Sequence, residues 1–373
     1  MKTTAYLLHF PALLVCACTA ILFGACTAKT DAPAGSFARG ADLSWLSEQE
    51  RDGVKFYNDE GRATECISLL RSMGMNAVRL RVWVNHETGW CNKADVVGKA
   101  VRSARQGQRI MIDFHYSDNF ADPQHQTTPA AWSGYSYDML CEAVAGHTRD
   151  VLYALKEAGV RPEWVQIGNE TPNGMLWPTG KLTRKEANED GCWERYTGLT
   201  RAGYEAAKEV FPRTCVIVHV DNAYEYRDWF FRNMIQYGGK FDMIGLSHYP
   251  MMKLWSGKDW EEMNRLAEQN IRRLIREFHC PVMVAEVGTM NGDEELSAKV
   301  MEDFVSRACR IDSCAGIFYW EPQCYGGWKP REYDALGWGP YDMGCFTEDG
   351  QPAEALKILL RPETKDCTLP KKQ

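Results

Sequence analysis

Two alternating patterns organise this chain. Short runs rich in Val, Ile and other apolar residues have the length and composition of buried β-strands, and between them lie longer stretches whose apolar positions recur with a helical period. Eight strand-like runs occur in order: Ala38–Ser44, Ala77–Val84, Arg109–His115, Glu163–Gly168, Cys215–Val220, Met243–Ser247, Pro281–Glu286 and Gly316–Trp320. The helical stretches between them are Ala63–Met73, Ala94–Gln106, Leu140–Ala158, Trp193–Val210, Tyr226–Tyr237, Trp260–Phe278 and Leu296–Cys309. Such alternation implies parallel strands joined by crossover helices. A repeat of roughly 40 residues suits an α/β chain folded as one (β/α)8 TIM barrel with enlarged loops, here expected over residues 38–360. The rival, an open doubly wound sheet, needs a phosphate-cradling glycine loop after an early strand. The sequence contains neither GxGxxG nor GxxxxGK[ST].

The ends follow a different pattern. Met1-Lys2 precedes an almost unbroken apolar run to Gly24, which reads as an export signal. Its end, Phe23-Gly24-Ala25-Cys26, resembles a bacterial lipoprotein box. Residues 1–25 are then the signal peptide, Cys26 bears the lipid anchor, 26–37 form a tether and 361–373 a tail. The alternatives are an ordinary signal cut nearby or a retained anchor. On the lipoprotein reading the protein is exported and membrane-anchored, periplasmic or at the cell surface. An exported chain with 14 cysteines invites disulfides. However, Cys16, Cys18 and Cys26 fall in the leader and box, and the rest are scattered through helix-like segments as small buried hydrophobes would be. Two pairings stay open, Cys309 with Cys314 and Cys324 with Cys345.

Composition narrows the partners. With 373 residues, 45% hydrophobic and a formal charge of -7, the chain is globular and offers no basic stripe for nucleic acid. Its 13 Trp, 16 Tyr and 14 Phe exceed what a core alone calls for, and suit a groove that stacks apolar sugar faces on flat rings.

Candidate chemistry concentrates at the C-terminal strand ends, where barrel active sites form. The second strand carries Arg79 and Arg81; the third ends Asp113-Phe114-His115 and the fourth runs into Asn169-Glu170. The sixth runs into His248-Tyr249, the seventh ends in Glu286 and the eighth in Trp320, followed by Glu321. Glu170 and Glu286 both stand where an apolar strand meets its loop, and ionised carboxylates rarely sit there without a partner or a task. Structural ion pairs are the bland alternative for either alone. Facing each other from nearly opposite strands, the two match the pair that cleaves a glycosidic bond, one protonating the leaving oxygen and the other attacking the anomeric carbon. Arg79 can hold Glu286 negative, and Asn169 can bond a sugar hydroxyl beside Glu170. Glu170 is then the acid/base and Glu286 the nucleophile.

These residues carry a resemblance. The runs Gly40-Ala41-Asp42-Leu43-Ser44, Val78-Arg79-Leu80-Arg81-Val82-Trp83-Val84-Asn85, Asp113-Phe114-His115-Tyr116-Ser117-Asp118 and Ala121-Asp122-Pro123 with Gln126 begin it. Gln166-Ile167-Gly168-Asn169-Glu170, Ile244 to Pro250, Ala285-Glu286 and Tyr319-Trp320-Glu321-Pro322 complete it. The chain is similar to family 53 endo-β-1,4-galactanases, within the clan of retaining (β/α)8 glycosidases. The resemblance implies endo-hydrolysis of galactan and type I arabinogalactan by double displacement. It also implies that His115, Asn169, Tyr249 and Trp320 line the subsite of the cleaved galactose, with Arg79 behind the nucleophile. A cis peptide after Trp320 is common in that clan. Asp42 and Asp118 either bind sugar hydroxyls or pair with arginines. His248 either joins the site or faces away from it. Trp328 and Trp338 either form a platform for more distant sugars or anchor their loop.

Phe120 stands where the family usually has Trp, and His86 where it usually has Pro. The loop 287–295 is short and lacks an Asp-x-Asp run, so its acids read as a helix start; no cofactor and no metal are expected, calcium included. Galactan and its oligosaccharides are the expected partners of a monomer. The rivals are a mannanase or glucanase of the same clan and a non-catalytic glycan-binding lipoprotein.

Overall fold

The computed structural model describes Met1 and residues 36–183, 188–252 and 256–362. Apart from Met1, the expected signal peptide lies outside the described residues, as do Cys26, nearly all of the tether and the tail beyond Pro362.

Eight parallel strands close into a barrel: β1 (Ala38–Asp42), β2 (Ala77–Val82), β3 (Arg109–Phe114), β4 (Trp164–Ile167), β5 (Cys215–Val220), β6 (Met243–His248), β7 (Val282–Val287) and β8 (Cys314–Trp320). Each pairs with its neighbours in sequence, and β8 pairs with β1 to close the ring. The helices, in chain order, are α1 (Leu46–Arg51), α2 (Cys66–Ser72), α3 (Lys93–Arg105), α4 (Tyr137–Glu157), α5 (Cys192–Val210), α6 (Asp228–Gln236), α7 (Trp260–Phe278), α8 (Glu294–Ala308), α9 (Arg331–Ala335) and α10 (Glu354–Leu360). The TIM barrel read from the alternation is therefore the observed architecture.

Two elements depart from the pattern. α2 begins at Cys66, because Glu65 caps it by accepting from the Ile67 and Ser68 amides while Ala63–Thr64 pairs with Phe56–Tyr57. α10 supplies the eighth crossover position; at seven residues it is too short for its period to stand out.

Side chains alternate across each strand, so one set packs outward on the helices and the other fills the barrel. On β2, Val78, Leu80 and Val82 join the outer core, while Ala77, Arg79 and Arg81 point inward. The barrel floor is apolar: Ala38, Ala77, Met111, Trp164, Ile217, Met243, Met283 and Phe318 pack as one cluster. A Cβ on Gly40 would lie 2.3 Å from the Phe318 ring, so the ring can occupy the axis only because position 40 is glycine. One layer higher the inward positions turn polar, to Asp42, Arg79, Asp113, Gln166, His219, Ser247 and Glu286. Glu286 reaches this layer through a bulge. Leu246 pairs with Val284 and Ser247 with Glu286, so Ala285 is an extra residue and the side chains after it change face.

Candidate active site

Arg79 is the hub of the polar layer. Its Nη1 lies 2.8 Å from Asp42 Oδ2, and its Nη2 lies 2.8 Å from Asp113 Oδ2, 2.8 Å from Asn169 Oδ1 and 2.9 Å from Glu286 Oε1. Three carboxylates thus converge on one fully buried cation. Burial disfavours the charged guanidinium, but Asp113, Glu286 and Asp42 outweigh it and keep Arg79 protonated. Burial likewise pushes the Asp113 carboxyl up, and Arg79 with His115 holds it below the usual range. The Ala121 amide donates to His115 Nδ1 at 2.9 Å, so the proton sits on Nε2 and is given to Asp113 at 3.0 Å. Burial lowers the His115 pKa, which keeps this ring neutral.

The two candidate carboxyls sit in unlike surroundings. Glu286, at the end of β7, accepts from Tyr249 Oη at 2.8 Å. Its other oxygen faces Arg79 at an angle that makes an ion pair rather than a hydrogen bond. Burial raises its pKa, and Arg79 with Tyr249 offsets only part of that rise. An opposite charge at about 4 Å is worth roughly 4 kcal/mol at an effective dielectric near 20, so this pairing biases Glu286 strongly toward ionisation. Glu170 has no such partner; it forms no ion pair among the described residues. Burial raises its pKa well above the usual value, repulsion from Glu286 and Asp221 adds to that, and a hydrogen bond from Ser247 opposes it. Of the two carboxyls, Glu170 is thus the one that holds its proton more tightly and Glu286 the one that gives its proton up first.

Glu170 is carried on a tight turn rather than on β4 itself. Gly168 has φ 79° and Glu170 φ 44°, a left-handed conformation that costs on the order of 1–3 kcal/mol in a residue with a side chain. Gln126 holds the turn by donating to Asn169 O at 2.8 Å and Glu170 O at 3.2 Å, and Thr171 N–H bonds His219 O at 2.9 Å.

Both carboxyls open onto a cavity of about 720 Å³ above the polar layer, also lined by His115, Asn169, Tyr249 and Trp320. Trp320 is set edge-on against Trp45 at 5.3 Å and Tyr341 at 5.2 Å, and Tyr341 Oη donates to the Trp320 carbonyl at 2.7 Å. Trp338, Phe120, Tyr224 and Asn222 extend the wall to either side.

The profile of glycosyl hydrolase family 53 matches residues 38–359. The chain belongs to this family. It is 30% identical over 350 residues to an arabinogalactan endo-beta-1,4-galactanase of Thermothelomyces thermophilus, covering 87% of this chain and 98% of that protein. The corresponding protein of Humicola insolens is 28% identical, with 87% and 98% covered. Among solved structures, a fungal beta-1,4-galactanase superposes with a TM-score of 0.74 at 28% identity, over 87% of this chain and 99% of that one. The family 53 catalytic domain of Ignisphaera aggregans gives 0.73 at 28% identity, over 87% and 95%.

Within this family 53 barrel, Glu170, Glu286, His115, Asn169, Tyr249, Trp320 and Trp338 share one cavity, and Arg79 lies directly beneath it. Three residues for which a place at the substrate was one of two readings stand elsewhere. Asp42 is fully buried, accepting from Arg79 and from both the amide and hydroxyl of Ser44, so the choice between sugar and arginine falls to arginine. Asp118 braces two loops, accepting from Asn85 N at 3.0 Å and Ala130 N at 2.8 Å. His248 faces outward because Ser247 takes the inward position; its Nε2 lies 2.8 Å from Asn264 Oδ1 and its ring packs on Phe304. The two tryptophans of the last loop divide. Trp338 reaches the cavity, whereas Trp328 packs on Trp45 and bonds Asp52, anchoring its loop.

Other readings of the sequence are decided as well. No disulfide is formed among the described residues, so neither Cys309 with Cys314 nor Cys324 with Cys345 is bridged. The bond after Trp320 is not cis; Glu321 instead has φ 47° and is buried between Trp45 N–H and Arg81. Asp293 caps α8 by accepting from the Leu296 amide at 2.9 Å. Phe120 fits its place by lying beneath the Arg81 guanidinium at 4.7 Å. His86 ties its loop to α9, with Nε2 3.0 Å from Glu332 Oε1.

Sequence reading missed Asp113, Gln166, His219 and Ser247 as parts of the network. A signal was present. Gln166 and His219 are each the lone polar residue at the inward phase of an otherwise apolar strand, Val165-Gln166-Ile167 and Val218-His219-Val220.

Proposed function

We propose that this enzyme hydrolyses internal β-1,4-galactosidic bonds of galactan and type I arabinogalactan with retention of anomeric configuration. The observation that carries the assignment is the asymmetry of the carboxyl pair: Arg79 and Tyr249 attend Glu286, and among the described residues no cation pairs with Glu170. Glu286, kept ionised, attacks the anomeric carbon while Glu170 gives its proton to the departing glycosidic oxygen. The leaving sugar departs and a galactosyl ester on Glu286 remains. Glu170, now a carboxylate, takes a proton from water as that water attacks the same carbon and frees Glu286. Two inversions restore the starting configuration. Asn169 uses one amide hydrogen on Ala121 O at 2.8 Å, which leaves the other for a sugar hydroxyl. Trp320 offers its ring face under the sugar, and Trp338 with Phe120 would stack units farther along an open-ended chain. The substrate assignment rests on the likeness to the curated endo-galactanases.

Linear β-1,4-galactan treated with the purified enzyme should release oligosaccharides of several lengths from the start. NMR of the first products should show the β-anomer before mutarotation. Release of reducing sugar from mannan or cellulose but not from galactan would assign a different clan activity. Early appearance of the α-anomer would remove the double displacement.

The reading of Phe23-Gly24-Ala25-Cys26 as a lipoprotein box adds export, acylation of Cys26 and action as a tethered monomer. Cys26→Ala should abolish labelling by radioactive palmitate and move the protein from the membrane fraction to the soluble one. Unchanged labelling would place the lipid elsewhere or nowhere.

A further inference from the structure

His219 and Ser247 lie against the turn that presents Glu170, and nothing in the reaction as described uses them. His219 points inward from β5 and is fully buried; Ser247 points inward from β6, is 1% exposed, and borders the cavity. Their side chains meet, His219 Nε2 to Ser247 Oγ, at 3.0 Å. We propose that His219 fixes the Ser247 hydroxyl as a permanent hydrogen-bond donor to Glu170, so that one carboxyl oxygen is held and the other presents the catalytic proton. The proposal rests on the acid/base role assigned to Glu170 above.

Hydrogen bookkeeping decides the direction of the relay. His219 Nδ1 faces Gln166 Nε2 at 3.1 Å, the Glu170 amide at 3.4 Å and Asn169 Oδ1 at 3.0 Å. The backbone N–H of Glu170 can only donate, and its hydrogen points at Nδ1. Nδ1 is therefore the acceptor, and the Glu170 N–H is among its donors. The ring proton then sits on Nε2 and is given to Ser247 Oγ. With that lone pair taken, the single Ser247 hydrogen turns to the Glu170 carboxyl. Burial lowers the His219 pKa well below its usual value, so the ring stays neutral and supplies no proton itself. It is a positioning residue. The β7 bulge contributes here as well, because it sets Glu286 opposite Ser247 in the strand register, and both residues border the same cavity.

The remaining groups around Glu170 fix the sign of the test. Glu286, Asp221 and Asp122 are carboxyls that favour its protonated form, and the Tyr249 phenol is spent on Glu286. Ser247 is the neighbour that favours the ionised form. Removing it must tighten the hold of Glu170 on its proton. The alkaline limb of the kcat/KM profile, where the acid is lost, should move upward.

The measurement is the pH dependence of kcat/KM on linear β-1,4-galactan for the full chain and a set of variants. Ser247→Ala should raise the alkaline limb by about one pH unit, and Ser247→Thr, which keeps the hydroxyl, should restore it. His219→Leu should raise the limb in the same direction, and this effect should vanish in the Ser247→Ala background. A part that was merely structural would lower the rate alike at every pH. A folded Ser247→Ala enzyme with an unmoved limb overturns the relay, as does a His219→Leu shift that simply adds to that of Ser247→Ala. Should Ser247→Ala fail to fold, the His219→Leu limb carries the same decision. Glu170→Gln separates the two levels of the argument. If it still cleaves galactan, the acid/base assignment falls; if it is inactive while the Ser247→Ala limb stays put, only the relay falls.

Discussion

Glu286→Ala is expected to lower kcat on galactan by at least about 10⁴-fold, the scale of losses when a nucleophile is deleted. Both half-reactions run through its carboxylate, so no substrate with a better leaving group should rescue the variant. Binding should survive. The ring of Trp320, the amide of Asn169 and the aromatic wall do not depend on Glu286, so oligosaccharide affinity measured by calorimetry should change little. Folding should survive as well, since removing one of three carboxylates around Arg79 leaves Asp42 and Asp113 to balance it. A small external anion such as azide, entering the space vacated, should restore some turnover and yield a product of inverted configuration. Hydrolysis at the wild-type rate would show that another group is the nucleophile.

Arg79→Met should cost more than activity. It strands Asp42, Asp113 and Glu286 in the barrel with no cation between them. Breaking a buried ion pair by removing one partner typically costs about 3–5 kcal/mol, and here three acids lose the same partner. Chemical denaturation at neutral pH should show a loss in at least that range. The sign of its pH dependence follows from Asp113, whose folded pKa lies below its unfolded one while Arg79 is present. That carboxylate contributes stability above the unfolded pKa and loses it as the pH falls through the folded value. Without Arg79 the burial that pushes Asp113 up is unopposed by the guanidinium, so the contribution reverses and the variant should gain stability relative to wild type on mild acidification. Activity should move with it. Glu286 loses the group that lowers its pKa most, and the acidic limb of kcat/KM should rise toward neutrality. A variant as stable as wild type at pH 7 with an unchanged acidic limb would remove Arg79 from its place at the centre.

Much of this was open to inspection in the linear chain. The spacing of apolar runs is a local property, set by the period of the element each segment adopts, and so the eight strands, the crossover helices and the barrel follow from it. The same holds for the two glutamates: an acid at the end of a strand such as Val282-Met283-Val284-Ala285 is conspicuous because its neighbours are apolar. What stayed hidden were relations between segments. Asp42 and Asp118 look alike in sequence, yet one closes on Arg79 and the other ties loops, and only the approach of distant chain segments separates them. Trp328 and Trp338 stand ten residues apart in one glycine-rich loop, and the path of that loop sends one ring to Trp45 and the other to the cavity.

By itself, then, the sequence determined the architecture, the mouth of the barrel as the site, and the pair of carboxyls that faces across it, because each depends on local period or on the fixed polarity of parallel strands. Tertiary structure decided which face Glu286 presents, since a one-residue bulge at Ala285 overrides simple alternation. It also decided the protonation asymmetry. A carboxyl's pKa is set by the charges and donors within a few ångströms, and for Glu170 and Glu286 those come from other strands: Arg79, Tyr249, Asp221 and Ser247.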